Sequence, residues 1–376
     1  MSEIYKICNR CIMDTSDPEI QFNDKGVCNH CRNQIEFTEK YGYDKNISEA
    51  KLTKIINQIK ENGKGKEYDA ILGISGGVDS AYLMYLAHEW GLRILAVHVD
   101  AGWNTDTAVN NIEKLCKSLN IDLHTVVVDW PTMKELQRAY MFSGLPNLDI
   151  PQDHAFLAAM YNYAHKYKVK YMLNGSNYAT EAILPKAWGY DAMDFTSIKD
   201  VYKKCGRGKS LKKYPKVSLL KYYYVLFAVK RVNLLNCVDY SKTKAIKLLG
   251  EKFDWNYYGG KHFESRFTRF FQSYYLPRKF GYDKRRAHLS SLVINGELSR
   301  EEALDEMQRP PYDSQLMMED LEYILKKLDI TKEEWETIMN APNKTESAYK
   351  NQKKTRKFIL ECVRKFRKVL KKSKKR

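Results

Sequence analysis

Ser75-Gly76-Gly77-Val78-Asp79-Ser80 lies between an apolar run, YDAILGI, and a helix-forming run, AYLMYLAHEW, that Gly91 closes. No other segment restricts the fold as much. A strand that ends in paired glycines and reopens as a helix is the strand–turn–helix unit of parallel sheets, because a parallel pairing needs a long crossover. The pattern then repeats. RILAVHV and DLHTVVV read as further strands with a helix from Ala108 to Leu119 between them, and a helix from His154 to Tyr167 precedes a fourth strand in VKYMLNG. The expectation is an α/β fold with a doubly wound parallel sheet.

The loop also carries chemistry. At the start of a helix, backbone N–H groups and the helix dipole favour bound phosphate, glycines admit the backbone to it, and the hydroxyls of Ser75 and Ser80 can donate to its oxygens. Asp79 is too near such phosphates to touch them directly, so a bridging Mg²⁺ is its natural role. The segment is not a Walker A sequence, which requires G-x-x-x-x-G-K-[ST].

Four of the eight cysteines, Cys8, Cys11, Cys28 and Cys31, form C-x2-C pairs separated by sixteen residues. Each pair makes a turn that aims two thiolates at one ion, and four thiolates close a tetrahedral shell without an open position. The site therefore reads as structural zinc, with His30 a bystander. Cys116, Cys205, Cys237 and Cys362 are scattered singles.

The net charge of +17 invites a nucleic-acid reading, but twelve of those charges fall in residues 351–376, so the body is nearly balanced. In that tail Phe358, Ile359, Cys362, Val363, Phe366, Val369 and Leu370 make one apolar stripe on a basic helix, suited to docking on the body or to peripheral contact with an anionic membrane surface. No run approaches the ~20 apolar residues of a membrane span and no secretory h-region is visible, so a cytoplasmic location is expected. The chain divides into a zinc-binding module (1–40), a helical linker (41–66), the α/β domain (67–200), a mostly helical substrate-binding region (201–350) and the basic tail (351–376). The Lys-rich stretch from Lys199 to Lys216 reads as an exposed loop.

Strand, SGGVDS and helix together resemble the PP-loop ATP pyrophosphatase superfamily over about residues 68–185. The resemblance implies an ATP site at Ser75, Gly76, Gly77, Asp79 and Ser80, with Val99 near the adenine, Asp100 on the ribose side and Gly175 at a second turn. There Asn174-Gly175-Ser176-Asn177 leads to Glu181, which would join Asp79 as a magnesium ligand. Without the resemblance, Glu181 reads as a helix N-terminal acid and His98 as a core histidine.

The Cys module, SGGVDS, the block YGGKHFESRFTRF and the block KFGYDKRRAHLSSL together look like the N-acetyl sugar amidotransferase family. That resemblance implies ATP-dependent adenylation of an acetamido group on a nucleotide-linked sugar, then displacement of AMP by ammonia to leave an acetamidino group, in bacterial lipopolysaccharide O-antigen or related surface-sugar synthesis. Lys261 would offset charge on the departing pyrophosphate, acting with Asp79 and Glu181. His262, Glu264, Arg266 and Lys284 would hold substrate, with His262 a possible proton shuttle or a satisfied buried histidine. Phe263, Phe267, Phe270 and Phe271 recur at helical spacing and read as core. No built-in glutaminase is visible, so ammonia would come from a separate glutaminase of the imidazole glycerol phosphate synthase type. Two rival readings remain open: a tRNA-thiolating PP-loop enzyme, with Cys205 as its one available thiol, and a non-catalytic zinc-stabilised binding subunit.

Overall fold

The computed structural model describes residues 5–41, 45–189, 191–260 and 262–362. Its centre is a five-stranded, wholly parallel sheet in the order β3-β2-β1-β4-β5, built from β1 (Ala70–Gly73), β2 (Ile94–Asp100), β3 (Leu123–Val127), β4 (Tyr171–Leu173) and β5 (Lys230–Val232). Alternation along each strand sends successive side chains to opposite faces. Ile71, Leu95, Val97, Val99 and Met172 face one apolar layer, while Ala70, Leu72, Ile94, Ala96 and Leu173 face the other.

The Cys module leads into α1 (Asn29–Tyr41) and then α2 (Lys45–Gly63). The second of these is more than a linker. Leu52, Ile56 and Ile59 are buried with β1, α3 (Val78–Glu89), α4 (Asp106–Ser118) and α10 (Lys242–Phe253) in the second layer. The first layer holds α5 (Trp130–Met141), α6 (Ile150–Lys166) and α8 (Phe195–Cys205). Part of the Lys-rich stretch thus belongs to α8, whose apolar face buries Ile198, Val201 and Tyr202 and leaves its lysines at the surface. A one-turn helix, α7 (Tyr178–Glu181), follows β4.

The strand signal does not end at residue 200. After α9 (Leu219–Ala228), the segment Lys230–Val232 pairs with Tyr171–Leu173 and extends the sheet by one edge strand. Beyond it α11 (Arg266–Phe270), α12 (Leu276–Phe280), α13 (Lys284–Ile294), α14 (Arg300–Gln308), α15 (Ser314–Leu328) and α16 (Lys332–Asn340) follow in turn. Phe267, Phe270 and Phe271 are fully buried in the first layer beside α15 and α16, as their spacing predicts, whereas Phe263, expected with them, is half-buried and lines a cavity. The described residues of this region share the α/β core. The strand order reverses between β1 and β4, and in open parallel sheets the crevice at that switch point, at the carboxyl ends of the strands, is where ligands bind.

Candidate functional site

At the end of β1 the loop turns back on itself. Gly77 N and Ser80 Oγ anchor it, donating to Ser75 Oγ at 3.2 Å and to Gly77 O at 3.1 Å. Gly76 has φ +85°, and a Cβ there would lie 2.8 Å from Ala108 O, so only glycine fits. Gly175, at the end of β4, packs on the same turn: a Cβ would come within 3.0 Å of Ser80 N and 3.1 Å of Asp79 C. The two strand ends flanking the switch point therefore touch through glycine. Asp79 accepts a hydrogen bond from the buried Tyr240 hydroxyl, whose own ionisation is pushed up by burial and then by the Asp79 charge.

The opposite wall comes from far along the chain. Residues after β2 zip onto the start of α11: Thr105 N donates to Glu264 O at 2.9 Å, Arg266 N donates to Trp103 O at 2.9 Å, and Asn104 bridges Ser265. Trp103, fully buried, packs on Phe267 with ring centroids 5.0 Å apart and the rings tilted by 37°. Between the walls lies a cavity of about 970 Å³. Ser75, Gly77, Asp79, Ser80, Val99, Gly175 and Glu181 line one side of it, and His262, Glu264 and Lys284 the other.

Gly76, Arg266 and Asp100, all predicted for the site, stand elsewhere. Gly76 shapes the turn from behind and is not part of the lining. Arg266 turns away from the cavity: its Nε donates to Asp320 at 2.9 Å and its guanidinium stacks on Tyr323, because a fully buried carboxylate needs a cationic partner. Lys261 lies outside the described residues. Asp100 caps its own turn by accepting from Gly102 N at 2.7 Å and is not part of the cavity lining. His98 lines the cavity with both ring nitrogens in use: Nδ1 donates to Ile74 O and Nε2 accepts from Asn104, each at 3.0 Å. No described cysteine lines the cavity; Cys205 contacts the Tyr349 hydroxyl at 3.5 Å instead.

The cavity also contains acids that sequence reading missed. Asp149 and Asp153 open α6 and face Lys284. Burial raises Asp149 to about 8, reinforced by the Asp153 charge and opposed by Lys284. Burial raises Asp153 to about 6 against the pull of Lys284 and His262. Asp149 accepts from Gln152 at 2.8 Å and from Thr268 at 3.2 Å. Acids before a helix normally read as caps, which hid them. A π-helical turn, Phe271–Tyr275, re-aims Gln272 and Ser273 into the same space.

The four cysteine sulfurs lie within 4.8 Å of one another, and all four residues are buried. The Cys8–Cys31 and Cys11–Cys28 separations are 3.8 Å, which is the edge of a tetrahedron whose ligands sit ~2.3 Å from a central ion. Backbone N–H groups of Arg10, Met13, Cys28 and Cys31 point at the sulfurs, so the donor set fits a thiolate-bound metal. His30 bonds Asp17 and takes no part. The module is fastened to α13: Ile12 N donates to Ser290 Oγ at 3.1 Å, and Arg286 donates to Ile12 O at 2.6 Å. Arg300 donates to the carbonyls of Cys8 and Cys11 at 3.1–3.2 Å. The next residues of the same helix, Lys284, Arg285 and His288, face the cavity. At the phosphate loop, Asp79 and Glu181 supply the hard carboxylate oxygens that suit magnesium.

Comparison with known proteins divides along the two walls. Residues 48–217 match the NAD synthase family, and residues 264–366 match the C-terminal domain of WbpG-like lipopolysaccharide biosynthesis proteins. A tRNA(Ile)-lysidine synthase of Chlamydia pneumoniae is 31% identical over 90 residues, 21% of this chain; the chain spans 28% of that relative's length. Among solved structures, NMN synthetase of Francisella tularensis is 14% identical, covering 77% of this chain and 95% of its own, with a TM-score of 0.34. The NH₃-dependent NAD synthetase of Campylobacter jejuni is 15% identical, covering 55% and 93%, with a TM-score of 0.29. A U34-tRNA thiolase of Methanococcus maripaludis, solved with its [4Fe–4S] cluster, is 16% identical, covering 78% and 87%, with a TM-score of 0.29. The phosphate loop falls inside the first family match and the wall that faces it, from Glu264 on, inside the second, and together they support a PP-loop protein of the N-acetyl sugar amidotransferase type.

Proposed function

We propose that the chain is an ATP-dependent carbon–nitrogen ligase that converts an acetamido group of a nucleotide-activated sugar to an acetamidino group. The observation that carries this reading is the single cavity shared by the SGGVDS loop and the 262–288 wall, large enough for a nucleotide and a second substrate side by side.

In this reading the loop amides and the hydroxyls of Ser75 and Ser80 hold the β- and γ-phosphates, with the adenine near Val99. Asp79 and Glu181 would hold magnesium, which when bound offsets charge on the departing pyrophosphate. Lys261 would add a cation there. His262, Glu264 and Lys284 hold the sugar nucleotide against the opposite wall. The acetamido oxygen attacks the α-phosphorus and pyrophosphate leaves. Ammonia then adds to the imidate carbon and the C–O bond to AMP breaks. A neutral amide is a poor electrophile, and adenylation gives its oxygen a good leaving group. The amidine so formed is a cation, and Asp149 and Asp153 offer it counter-charge.

The four cysteines would hold a structural zinc, ammonia would arrive from a separate glutaminase, and the reaction would run in the cytoplasm on lipopolysaccharide precursors. A nucleic-acid substrate has no support in the charge of the body. The test is pyrophosphate release from purified protein. Release that needs ATP, an ammonium salt and a nucleotide-linked diacetamido sugar, and that survives Cys205→Ser, is the expected result. Release stimulated by tRNA alone, or ATP binding without turnover on any sugar, would overturn it.

A further inference from the structure

The wall facing the phosphate loop carries a carboxylate oxygen that the described residues leave unsatisfied. Glu264 Oε2 is shut off from solvent and has no hydrogen-bond partner among them. The other oxygen, Oε1, stands 3.6 Å from His262 Nδ1. Toward the loop the approach is closer: a Cβ built on Gly77 would lie 3.4 Å from Glu264 Oε1 and 3.3 Å from the Tyr258 hydroxyl. Glu264 cannot easily swing clear, since its carbonyl is bound by Thr105 and the next residue, Ser265, both pairs with Asn104 and caps α11.

A phosphate cradled at Gly77 would therefore meet a fixed carboxylate almost in contact. At so short a separation in a partly desolvated site, two such charges repel strongly. A buried carboxylate oxygen without a donor is itself costly. One ligand removes both penalties, a divalent cation lying between Glu264 and the phosphates. Asp79, two residues along the loop from Gly77, lines the same cavity as Glu264 and is placed to share it.

We propose that Glu264 is a ligand of the divalent cation at the phosphate loop, reaching it from the wall opposite Asp79. This rests on the reading of the loop as an ATP site and adds to it a metal ligand contributed by the region that faces substrate. Its consequence is that the metal–nucleotide complex ties the two walls together, so that ATP and Mg²⁺ order the sugar side before the sugar arrives.

The experiment is calorimetric titration of ATP, with Mg²⁺ and with EDTA, into the full-length protein and its Glu264→Gln variant. In the wild type Mg²⁺ should tighten ATP binding. In E264Q that advantage should shrink by roughly tenfold or more, while metal-free ATP binds as well as or better than to wild type, because the opposing charge is gone. An equal Mg²⁺ advantage in both proteins overturns the proposal. Failure of the wild type to bind ATP at all would instead overturn the phosphate-loop reading beneath it. If E264Q does not fold by circular dichroism, Glu264→Asp with Mn²⁺ and ATP is followed by electron paramagnetic resonance. A changed Mn²⁺ spectrum supports the ligand assignment and an unchanged one overturns it.

Discussion

The Tyr240 hydroxyl donates a hydrogen bond to Asp79, fixing the carboxylate of the phosphate loop with a residue 161 positions downstream. Tyr240 is itself held between Tyr82 and the second apolar layer. Removing only the oxygen, as Tyr240→Phe, should leave the packing intact and free the carboxylate to rotate. Pyrophosphate release should then fall roughly tenfold, with the melting temperature lowered by a few degrees at most. Unchanged turnover would show that Asp79 is oriented by other contacts.

Gly175→Ala probes the contact between the two strand ends. The added methyl meets backbone atoms of Asp79 and Ser80, which cannot step aside as a flexible side chain can. ATP affinity should drop at least tenfold and stability by about 1–3 kcal/mol, measured by calorimetry and thermal melting.

The cysteine cluster makes a separate prediction. Cys28→Ser, or treatment with a strong chelator, should release one metal equivalent per chain by elemental analysis and lower the melting temperature by several degrees. Turnover should fall as well, although no described cysteine lines the cavity, because α13 loses the module to which Ser290 and Arg286 bind it, and α14 the contact made by Arg300.

Asp153 gives stability a pH dependence of unusual sign. An acid raised by burial holds its proton more tightly folded than unfolded. Its stabilising contribution is complete below its unfolded value of ~3.9 and is lost as pH climbs through about 6. Asparagine does not titrate. Asp153→Asn should therefore lose less stability than wild type between about pH 4 and about pH 6, seen as a smaller fall in melting temperature, while turnover declines.

What the sequence displays is what neighbouring residues decide together. β1 to β4, the SGGVDS turn and the C-x2-C pairs are local patterns, and the buried spacing of Phe267, Phe270 and Phe271 is a helical one. β5 was not legible because Lys-Arg-Val has no alternation to detect; its pairing with Tyr171–Leu173 makes it a strand. Arg266 looked like an anion binder because its partner, Asp320, lies 54 residues away and becomes buried only when α15 docks. Asp149, Asp153 and Tyr240 join the site by the same long-range packing, and nothing beside them in the chain marks them out.

The packing of Trp103 on Phe267 has a bearing on modularity. Residues 264–366 form a family unit by sequence, yet their first turn completes a wall begun after β2. Severed at that seam, one fragment would present Trp103 to water and the other Phe267, Phe270, Phe271 and Tyr275, a patch prone to self-association. The unit cannot be transplanted onto another nucleotide-binding sheet unless the tryptophan turn that receives it travels too.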